Sequence, residues 1–442
     1  MKSIIKQQLV DSINTKLPQL VQREYRLPDI SNKTHAIIGM RRSGKTYFLY
    51  QIMKKILKQS PNKSEKLDRS RLVYFNFEDE RLEDLTGKNM GWIIDEYYAL
   101  FPANRSKKVY FFFDEIQLVE GWERFIRRLM DSEKVQIYIS GSSSKMLSSE
   151  IASSMRGRSI STVIYPFSFR EFLRSQRIDL PESEEQLTKE IRSLFENKLL
   201  EYLYKGGFPE AQNLIVQDRN LLLQSYVNTV LLRDIIERYN VKNILILKKL
   251  ARYLIKNYSL QFTVNKFFNQ LKSQGIKVSK TSLYEYLDYL QDSFLIHSIN
   301  IFTESERKRM VNPIKNYVID TGLANAFAMK QNINTGHLLE NAVFMELCRR
   351  NSKISYLNTR SGFEIDFIAE YPDGSVEAIQ VSADISDPKT RERELRPFFE
   401  INKILPDAKC TLINLSEENI IETDNIKINV IPAWKFLYLL NS

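Results

Sequence analysis

Residues 39–46 have the composition and spacing of a phosphate-binding loop. The run Gly-Met-Arg-Arg-Ser-Gly-Lys-Thr matches GxxxxGK[ST] at every fixed position. In such a loop the glycines let backbone N–H groups surround the phosphates, the lysine reaches the β and γ oxygens, and the threonine hydroxyl ligates Mg²⁺. We therefore expect a site for ATP and Mg²⁺. The expected nucleotide-binding residues are Gly39, Arg41, Arg42, Ser43, Gly44, Lys45, Thr46 and Asp114.

Two adjacent acids follow an apolar run at residues 109–113. Val-Tyr-Phe-Phe-Phe is typical of a buried strand, and such a strand delivers Asp114 to the Mg²⁺ shell, where it joins Thr46 as a metal ligand. Glu115 is then placed to polarise an attacking water molecule. A phosphotransferase acting on a small molecule does not need this second acid, so the pair favours ATP hydrolysis with Glu115 as a catalytic residue. The alternative is a pair of acids that only solvates a strand end.

A serine-rich segment and two arginines follow the next predicted strand. Residues 140–144 close that strand, and we predict that Ser142 senses the γ-phosphate, although serines at such a position also form ordinary turns. Arg156 and Arg158 precede a further strand. Either arginine could reach a neighbouring subunit's nucleotide as a catalytic arginine finger, or both are plain surface residues.

Around these motifs, apolar strands alternate with helical segments, which predicts a parallel sheet covered on both faces. A leading helical stretch, kinked at Pro18, is expected over residues 3–24. Residues 167–249 have helical periodicity almost throughout and predict a helical lid or connector. The predicted strands of the sheet are residues 34–38, 72–77, 109–113 and 135–140.

Residues 247–302 follow a different plan. Helix 262–274, a turn, and helix 280–292 with Ser279 as its N-cap precede a hairpin with a basic tip, which is the order of a winged helix-turn-helix. A protein-interaction module of three helices and a hairpin is the alternative. Positive charge at the second helix and at the tip predicts contacts with DNA phosphates. The expected DNA-binding residues are Lys277, Lys280, Arg307, Lys308 and Arg309.

The chain as a whole is basic and has no long apolar run. Its 442 residues suit two or three domains, and its formal net charge of +10 suits a polyanionic partner, although a solvated lysine-rich surface has the same charge. Because neither a membrane-spanning stretch nor a secretory signal is apparent, we expect a cytoplasmic protein that does not cross a membrane. Cys348 and Cys410 lack CxxC spacing, which argues against a thiol zinc site and a disulfide framework.

Further motifs occur in a fixed order along the chain. Asp-Glu-Ile-Gln at 114–117, Arg-Gly-Arg at 156–158 and Pro-Phe-Ser-Phe-Arg-Glu-Phe at 166–172 follow the phosphate-binding loop, and Gly-Gly-Phe-Pro-Glu at 206–210 and Leu-Arg-Asp-Ile at 232–235 come next. In these motifs the chain resembles the prokaryotic AAA+ ATPases that carry a carboxy-terminal domain of unknown function. The resemblance covers nearly the whole chain. It implies an AAA+ core, a winged helix and a nuclease-like end, and it implies no particular substrate.

The carboxy-terminal residues 331–442 contain acids at the positions that the PD-(D/E)XK nuclease fold uses, and they resemble that fold. Its active site also needs a lysine, and Ser382 stands where the lysine is expected. Lys389 or Arg391 on the following helix could supply the missing charge, but we expect a degenerate nuclease fold kept for binding. The predicted remnants of the site are Glu340, Asp366 and Gln380.

Together these features predict an α/β chain whose AAA+ motor hydrolyses ATP and remodels or translocates on DNA as a homo-oligomer such as a hexamer. A nucleotide-controlled regulatory switch with a protein-binding winged helix is one alternative. An active metal-dependent nuclease coupled to ATP is another. The predicted domains are an AAA+ nucleotide-binding domain at 1–165, a helical lid at 166–245, a winged helix-turn-helix at 246–330 and a nuclease-like domain at 331–442.

Overall fold

The chain divides into two compact units. In a computed structural model, the first unit is Met1–Tyr165 and the second is Pro166–Ser442. No helix in the described part of the chain is both long and apolar enough to cross a bilayer. The structure describes residues 1–28, 30–58, 67–142, 155–181, 183–328, 334–401, 403–423 and 426–439.

A five-stranded sheet forms the core of the first unit. Its strands are β1 (Thr34–Ile38), β2 (Leu72–Asn76), β3 (Val109–Asp114), β4 (Val135–Gly141) and β5 (Ser159–Val163). They lie in the order β2-β3-β4-β1-β5, and every adjacent pair is parallel. All five residues of β1 are buried, as expected for a strand in a sheet covered on both faces. The predicted α/β fold with a parallel core is confirmed.

Helices α1 to α4 accompany this sheet. They are α1 (Lys2–Asn14), α2 (Lys45–Lys58), α3 (Gly91–Leu100) and α4 (Trp122–Ser132). The predicted helix over residues 3–24 is wrong beyond Asn14. Thr15 has extended backbone, with φ −69° and ψ 130°, and Pro18 restricts the residue before it to extended conformations as well.

The second unit begins with helices. They are α5 (Phe169–Ser175), α6 (Lys189–Lys205), α7 (Val216–Thr229), a π-helix (Val230–Glu237) and α8 (Ile244–Lys256). Ser168 and Glu171 form a capping box that fixes the start of α5. Gly206 ends α6 with φ +74°, and a Cβ atom there would collide with the side chain of Asp320. The glycine break in the helical region therefore lets the chain pass close to Asp320.

Three short strands and three helices follow. They are β6 (Leu260–Phe262), α9 (Val264–Ser273), α10 (Lys280–Asp292), β7 (Ile296–Ile299), α11 (Glu306–Val311) and β8 (Ile314–Val318). The strands form an antiparallel sheet in the order β6-β8-β7. Ser279 caps α10 by accepting a hydrogen bond from the backbone N–H of Ser282 at 3.0 Å. The segment predicted to be a basic hairpin tip forms a short helix, α11, instead. The side chain of Ser305 caps its start.

The last part of the second unit is a six-stranded mixed sheet with helices. After α12 (Thr321–Phe327) come α13 (Thr335–Arg349), β9 (Lys353–Asn358), β10 (Glu364–Glu370), β11 (Val376–Val381), α14 (Pro388–Ile401), β12 (Lys409–Asn414), β13 (Asn419–Thr423), β14 (Ile426–Pro432) and α15 (Ala433–Tyr438). The order is β13-β14-β12-β11-β10-β9. Ile365, Ala378, Phe398, Leu412 and Val430 are buried in one apolar cluster that joins the sheet to α14.

Candidate functional site

The phosphate-binding loop connects the end of β1 to the start of α2. Gly39 and Gly44 have φ values of +147° and +100°, a region that residues with a Cβ atom rarely adopt. A Cβ atom on Gly39 would also collide with the carbonyl oxygen of Ile164. The two glycines of the motif are therefore required by the backbone path of the loop.

Lys45 is buried at the first turn of α2. Its ammonium donates to the carbonyl oxygens of Gly39 at 3.2 Å and Met40 at 3.3 Å, and it lies 3.4 Å from Oε1 of Glu115. The hydroxyl of Ser43 is buried too, and it has no hydrogen-bond partner within the described residues. Since these contacts are long or missing, the ammonium and the hydroxyl remain able to bind phosphate oxygens.

Asp114 is the centre of a hydrogen-bonded cluster at the end of β3. Oδ2 of Asp114 accepts from the hydroxyl of Thr46 at 2.7 Å and from the hydroxyl of Tyr74 at 2.7 Å, and Oδ1 accepts from the hydroxyl of Ser140. Thr46 and Asp114 thus place a hydroxyl and a carboxylate oxygen side by side. Oxygen atoms of these two kinds are the ligands that Mg²⁺ takes beside phosphates, so the residues fit the predicted metal.

Ser140 is the serine that contacts both acids. Its hydroxyl oxygen also accepts the backbone N–H of Glu115 at 3.1 Å, and the parallel register of β3 and β4 places Asp114 beside it. Ser142, the predicted phosphate sensor, is buried just beyond β4, and its role stays a prediction. Residues 143–144 of the same run lie outside the described residues.

Glu115 has the left-handed backbone conformation, with φ +54°, and its Oε2 accepts from the side-chain amide of Gln117. Burial would raise the pKa of Glu115, but the positive charges of Lys45 and Arg41 hold it below its ordinary value. Burial, aided by the charge of Glu115, raises the pKa of Asp114. Glu115 is therefore ionised, as a group that orients or deprotonates water must be.

Sequence patterns did not identify two side chains that support the loop. Arg23 is buried, and its guanidinium donates to the carbonyl oxygens of Ser43, at 2.9 Å, and of Tyr165. Burial, together with the charge of Asp114, raises the pKa of Tyr74, so its hydroxyl remains a donor. The position of Tyr74 within an apolar strand could have indicated a buried hydroxyl beside the site. No sequence pattern distinguishes Arg23 from a surface arginine.

The two arginines of the loop differ in their surroundings. Arg41 is partly buried and forms an ion pair with Glu78 at 2.6 Å. Arg42 is exposed and has φ +67°. Their predicted contacts with nucleotide stay predictions.

The predicted arginine fingers lie at the opposite end of the sheet from the phosphate-binding loop. They precede β5, whose first residue Ser159 pairs with Thr34, the first residue of β1, whereas the loop follows the last residue of β1. Arg158 forms an ion pair with Asp131 at 2.5 Å, and Arg156 is exposed. Neither arginine can therefore act on the nucleotide site of its own unit.

Most of the predicted DNA-binding side chains are exposed in the second unit. Arg309 is the exception, because its guanidinium donates to the carboxylate of Glu306 and to the carbonyl oxygen of Thr303, both at 2.7 Å. The exposed residues are Lys277, Lys280, Arg307 and Lys308.

The three predicted nuclease remnants lie together around a lysine that the sequence patterns did not single out. Nζ of Lys315, on β8, is 2.8 Å from Oε1 of Glu340 and 3.0 Å from Oδ1 of Asp366. The side-chain oxygen of Gln380 accepts the backbone N–H of Asp366 at 3.2 Å. The hydroxyl of Ser382 donates instead to a neighbouring backbone carbonyl at 3.1 Å, so it takes no part in the cluster.

Family comparisons agree with the position of the nucleotide site. Residues 31–173 match the model of the family described as AAA domain. Residues 196–334 and 335–436 match two further families, each described as a domain of unknown function, DUF8612 and DUF4143. The phosphate-binding loop, both acids and Ser140 all fall within the AAA match.

Two relatives align with nearly the full chain. "Uncharacterized protein MJ1544" of Methanocaldococcus jannaschii is 33% identical over 454 residues, covering 98% of this chain and 95% of that protein. An "Uncharacterized protein" of Haemophilus influenzae is 30% identical over 403 residues, covering 90% and 93%. Among solved structures, the Walker-type ATPase PABY2304 of Pyrococcus abyssi superposes with a TM-score of 0.39 at 16% identity, covering 74% of this chain and 96% of that one. The chain thus belongs to the family of MJ1544, and residues 31–173, most of which lie in its first unit, match the AAA domain.

Proposed function

We propose that the chain hydrolyses ATP at the phosphate-binding loop, with Thr46 and Asp114 as the ligands of Mg²⁺ and Glu115 as the residue that orients the attacking water. The observation that supports this proposal best is the cluster at the end of β3, where the buried side chains of Lys45, Asp114 and Glu115 meet the hydroxyl of the half-buried Thr46. Bound Mg²⁺ neutralises charge on the phosphate oxygens.

The side chains of the cluster have separate tasks in this proposal. Lys45 exchanges its two long contacts with loop carbonyls for phosphate oxygens, which are stronger acceptors for an ammonium. Ser140 fixes the carboxylate of Asp114 and the backbone of Glu115 at the same time. A shift of Ser140 would therefore disturb the metal ligand and the water-orienting residue together.

We further propose that the protein is cytoplasmic and that it acts on DNA as a homo-oligomer. The formal net charge of +10 and the four exposed cationic side chains on and around α10 and α11 support DNA as the partner. The oligomer proposal follows from assigning Arg156 and Arg158 a part in hydrolysis: they lie at the far end of the sheet, so that part requires the nucleotide site of a neighbouring subunit.

The DNA proposal is tested by the ATPase rate with and without double-stranded, single-stranded and branched DNA. We expect stimulation by DNA, and we expect its loss when Lys277, Lys280, Arg307, Lys308 and Arg309 are changed to glutamine. The log–log salt dependence of DNA binding should also flatten by up to about four units, at roughly 0.9 per lost phosphate contact.

The matched control removes five other exposed lysines of the second unit. It changes Lys189, Lys353, Lys403, Lys409 and Lys427 to glutamine. Equal losses of DNA stimulation and DNA affinity in the two variants would indicate an effect of net charge alone. An unchanged ATPase rate and DNA affinity in the first variant would contradict the proposed DNA site.

The oligomer proposal is tested by mixing two inactive proteins. The first protein carries both Arg156→Ala and Arg158→Ala and retains an intact phosphate-binding loop. The second carries Lys45→Ala and retains both arginines. Mixed subunits should regain part of the ATPase rate if the arginines act between subunits. Absence of recovery in a mixture shown to co-assemble would contradict the trans arrangement.

A further inference from the structure

The second unit buries a lysine in direct contact with three carboxylates. Besides Glu340 and Asp366, Nζ of Lys315 contacts Oε1 of Glu364 at 2.7 Å. The lysine side chain is 3% exposed. An ammonium has three N–H donors, and here each has a carboxylate oxygen within hydrogen-bond distance, so the hydrogen-bonding capacity of Lys315 is filled.

The cluster joins three elements that are distant in the sequence. Lys315 comes from β8, Glu340 from α13, and Glu364 and Asp366 from β10. A lysine in β8 thus contributes a charge to β10, an interior strand of a different sheet. Among the described residues, no group of three or more His, Cys, Asp or Glu side chains is arranged to hold a metal ion; these acids surround an ammonium instead.

Other donors hold the same acids in place. Oδ2 of Asp366 accepts the backbone N–H of Val381 at 3.0 Å. Oε2 of Glu364 accepts from the side chain of Gln261 at 2.8 Å, and Oε1 of Glu340 accepts from the hydroxyl of Tyr317 at 2.8 Å. These contacts keep the acids converged without depending on the lysine, so they would persist if the lysine were replaced.

Charge balance explains why a cation is needed at this point. Burial lowers the pKa of Lys315, but Tyr317, Asp366 and the two glutamates together raise it well above its ordinary value. Several carboxylates that converge in a buried site repel one another strongly unless a positive charge lies between them. Carboxylate oxygens are also the preferred ligands of Mg²⁺, Mn²⁺ and Ca²⁺.

We propose that Lys315 is a tethered cation that takes the place of a divalent metal among Glu340, Glu364 and Asp366. The native protein accordingly binds no metal at this cluster. Replacing the lysine with an uncharged side chain of similar length opens a metal site. This proposal is independent of ATP hydrolysis, because it concerns only the second unit.

The test uses the full chain without nucleotide and with Mn²⁺ alone as the probe. In Lys315→Met, saturating Mn²⁺ should raise the melting temperature by about 5 °C or more relative to NaCl at equal ionic strength, and calorimetry should detect a Mn²⁺ site that the wild-type protein lacks. Adding Asp366→Asn to Lys315→Met should abolish both effects. Any Mn²⁺ bound at Thr46 and Asp114 is common to all the variants and cancels in the comparison.

Two results would overturn the proposal. One is a Mn²⁺ site in the wild-type protein that disappears in Asp366→Asn, and the other is a melting temperature of Lys315→Met that does not respond to Mn²⁺. If Lys315→Met does not fold, Lys315→Met with Glu364→Gln removes one of the uncompensated acids and is measured in the same way. The melting temperature of this double variant should rise with Mn²⁺, and the rise should again require Asp366. A melting temperature that does not rise would overturn the proposal.

Discussion

Among the described residues, each unit buries one lysine near acidic side chains, but the two lysines are held differently. Lys45 contacts two backbone carbonyls at 3.2 and 3.3 Å and one carboxylate at 3.4 Å. Lys315 contacts three carboxylates at 2.7 to 3.0 Å. A lysine whose contacts are all long can transfer its donors to a ligand, whereas a lysine whose three donors all have short contacts with acidic side chains is fixed.

The comparison shows that burial and acidic neighbours do not by themselves indicate chemistry. Both sites have them, and the length and type of the lysine's contacts distinguish a binding group from a structural one. Around Lys45 the buried hydroxyl of Ser43 provides a further donor for an anion. Around Lys315 the additional donors go to the acids instead.

The largest expected effect comes from exchanging each lysine for methionine. Lys315→Met leaves buried carboxylates without a counter-charge and should lower the free energy of unfolding by about 3–5 kcal/mol. Lys45→Met leaves the one buried carboxylate of Glu115 without its nearest positive charge, so it should lower the free energy of unfolding by a smaller amount, about 1–3 kcal/mol, while weakening ATP binding about 10- to 100-fold. Urea unfolding and nucleotide titration of both proteins measure the four quantities. Similar losses of stability in the two variants would remove the distinction between the lysines.

A smaller effect is expected within the nucleotide site. Ser140→Ala removes the hydroxyl that bonds to Asp114 and Glu115, and it should lower kcat for ATP hydrolysis about 10-fold, the equivalent of one hydrogen bond to a charged group. Ser142→Ala is the matched control for a buried serine in the same segment. A greater loss of kcat in Ser142→Ala than in Ser140→Ala would support the predicted role of Ser142 as the phosphate sensor and contradict the larger role of Ser140.

The smallest effect concerns the pH dependence of stability. Burial and the charge of Asp366 raise the pKa of Glu340 to about 8, so at neutral pH Lys315 contacts a protonated Glu340 beside the carboxylates of Glu364 and Asp366. The folded protein thus keeps a proton that the unfolded chain loses near pH 4.5. The folded state therefore binds more protons across this range, and stability falls as pH rises toward 8. Between pH 6.5 and 8 the fall should be about 1–2 kcal/mol.

This window separates Glu340 from two other buried groups. Burial lowers the pKa of His297 to about 4 and raises that of Asp320 to about 6, so both contribute mainly below pH 6.5. Urea midpoints at pH 6.5 and 8 should differ in the wild-type protein and coincide more closely in Glu340→Gln. An unchanged difference in that variant would assign the pH dependence to another group.

The sequence predicted local features better than contacts between distant segments. The phosphate-binding loop and the apolar strand before Asp114 each lie within one short run, and their spacing alone predicts the strand, loop and helix that the structure has. The contacts of Ser140 with Asp114 and Glu115 depend on the register of β3 against β4, which a single sequence does not contain.

Longer-range features were not predictable in the same way. The helix predicted through residue 24 ends at Asn14, where the backbone becomes extended at Thr15. The helical spacing of apolar residues continues past this point, so the spacing could not predict where the helix ends. Because Ser382 stands where the nuclease lysine was expected, the sequence suggested that Lys389 or Arg391 on α14 supplies the positive charge. The structure places Lys315 of β8 there instead, 51 residues before Asp366. Only the folded arrangement brings Lys315 to these acids.

ATP hydrolysis by Glu115→Gln tests the central claim most directly. The substitution keeps the size of the side chain and the contacts of Lys45 with the loop carbonyls, but it removes the charge that orients or deprotonates water. ATP hydrolysis should fall by about 10²- to 10⁴-fold with ATP affinity retained, while Glu120→Gln, an exposed glutamate nearby, should retain the wild-type rate. Equal hydrolysis by Glu115→Gln and the wild-type protein would contradict the assignment of this cluster as an ATP-hydrolysing site.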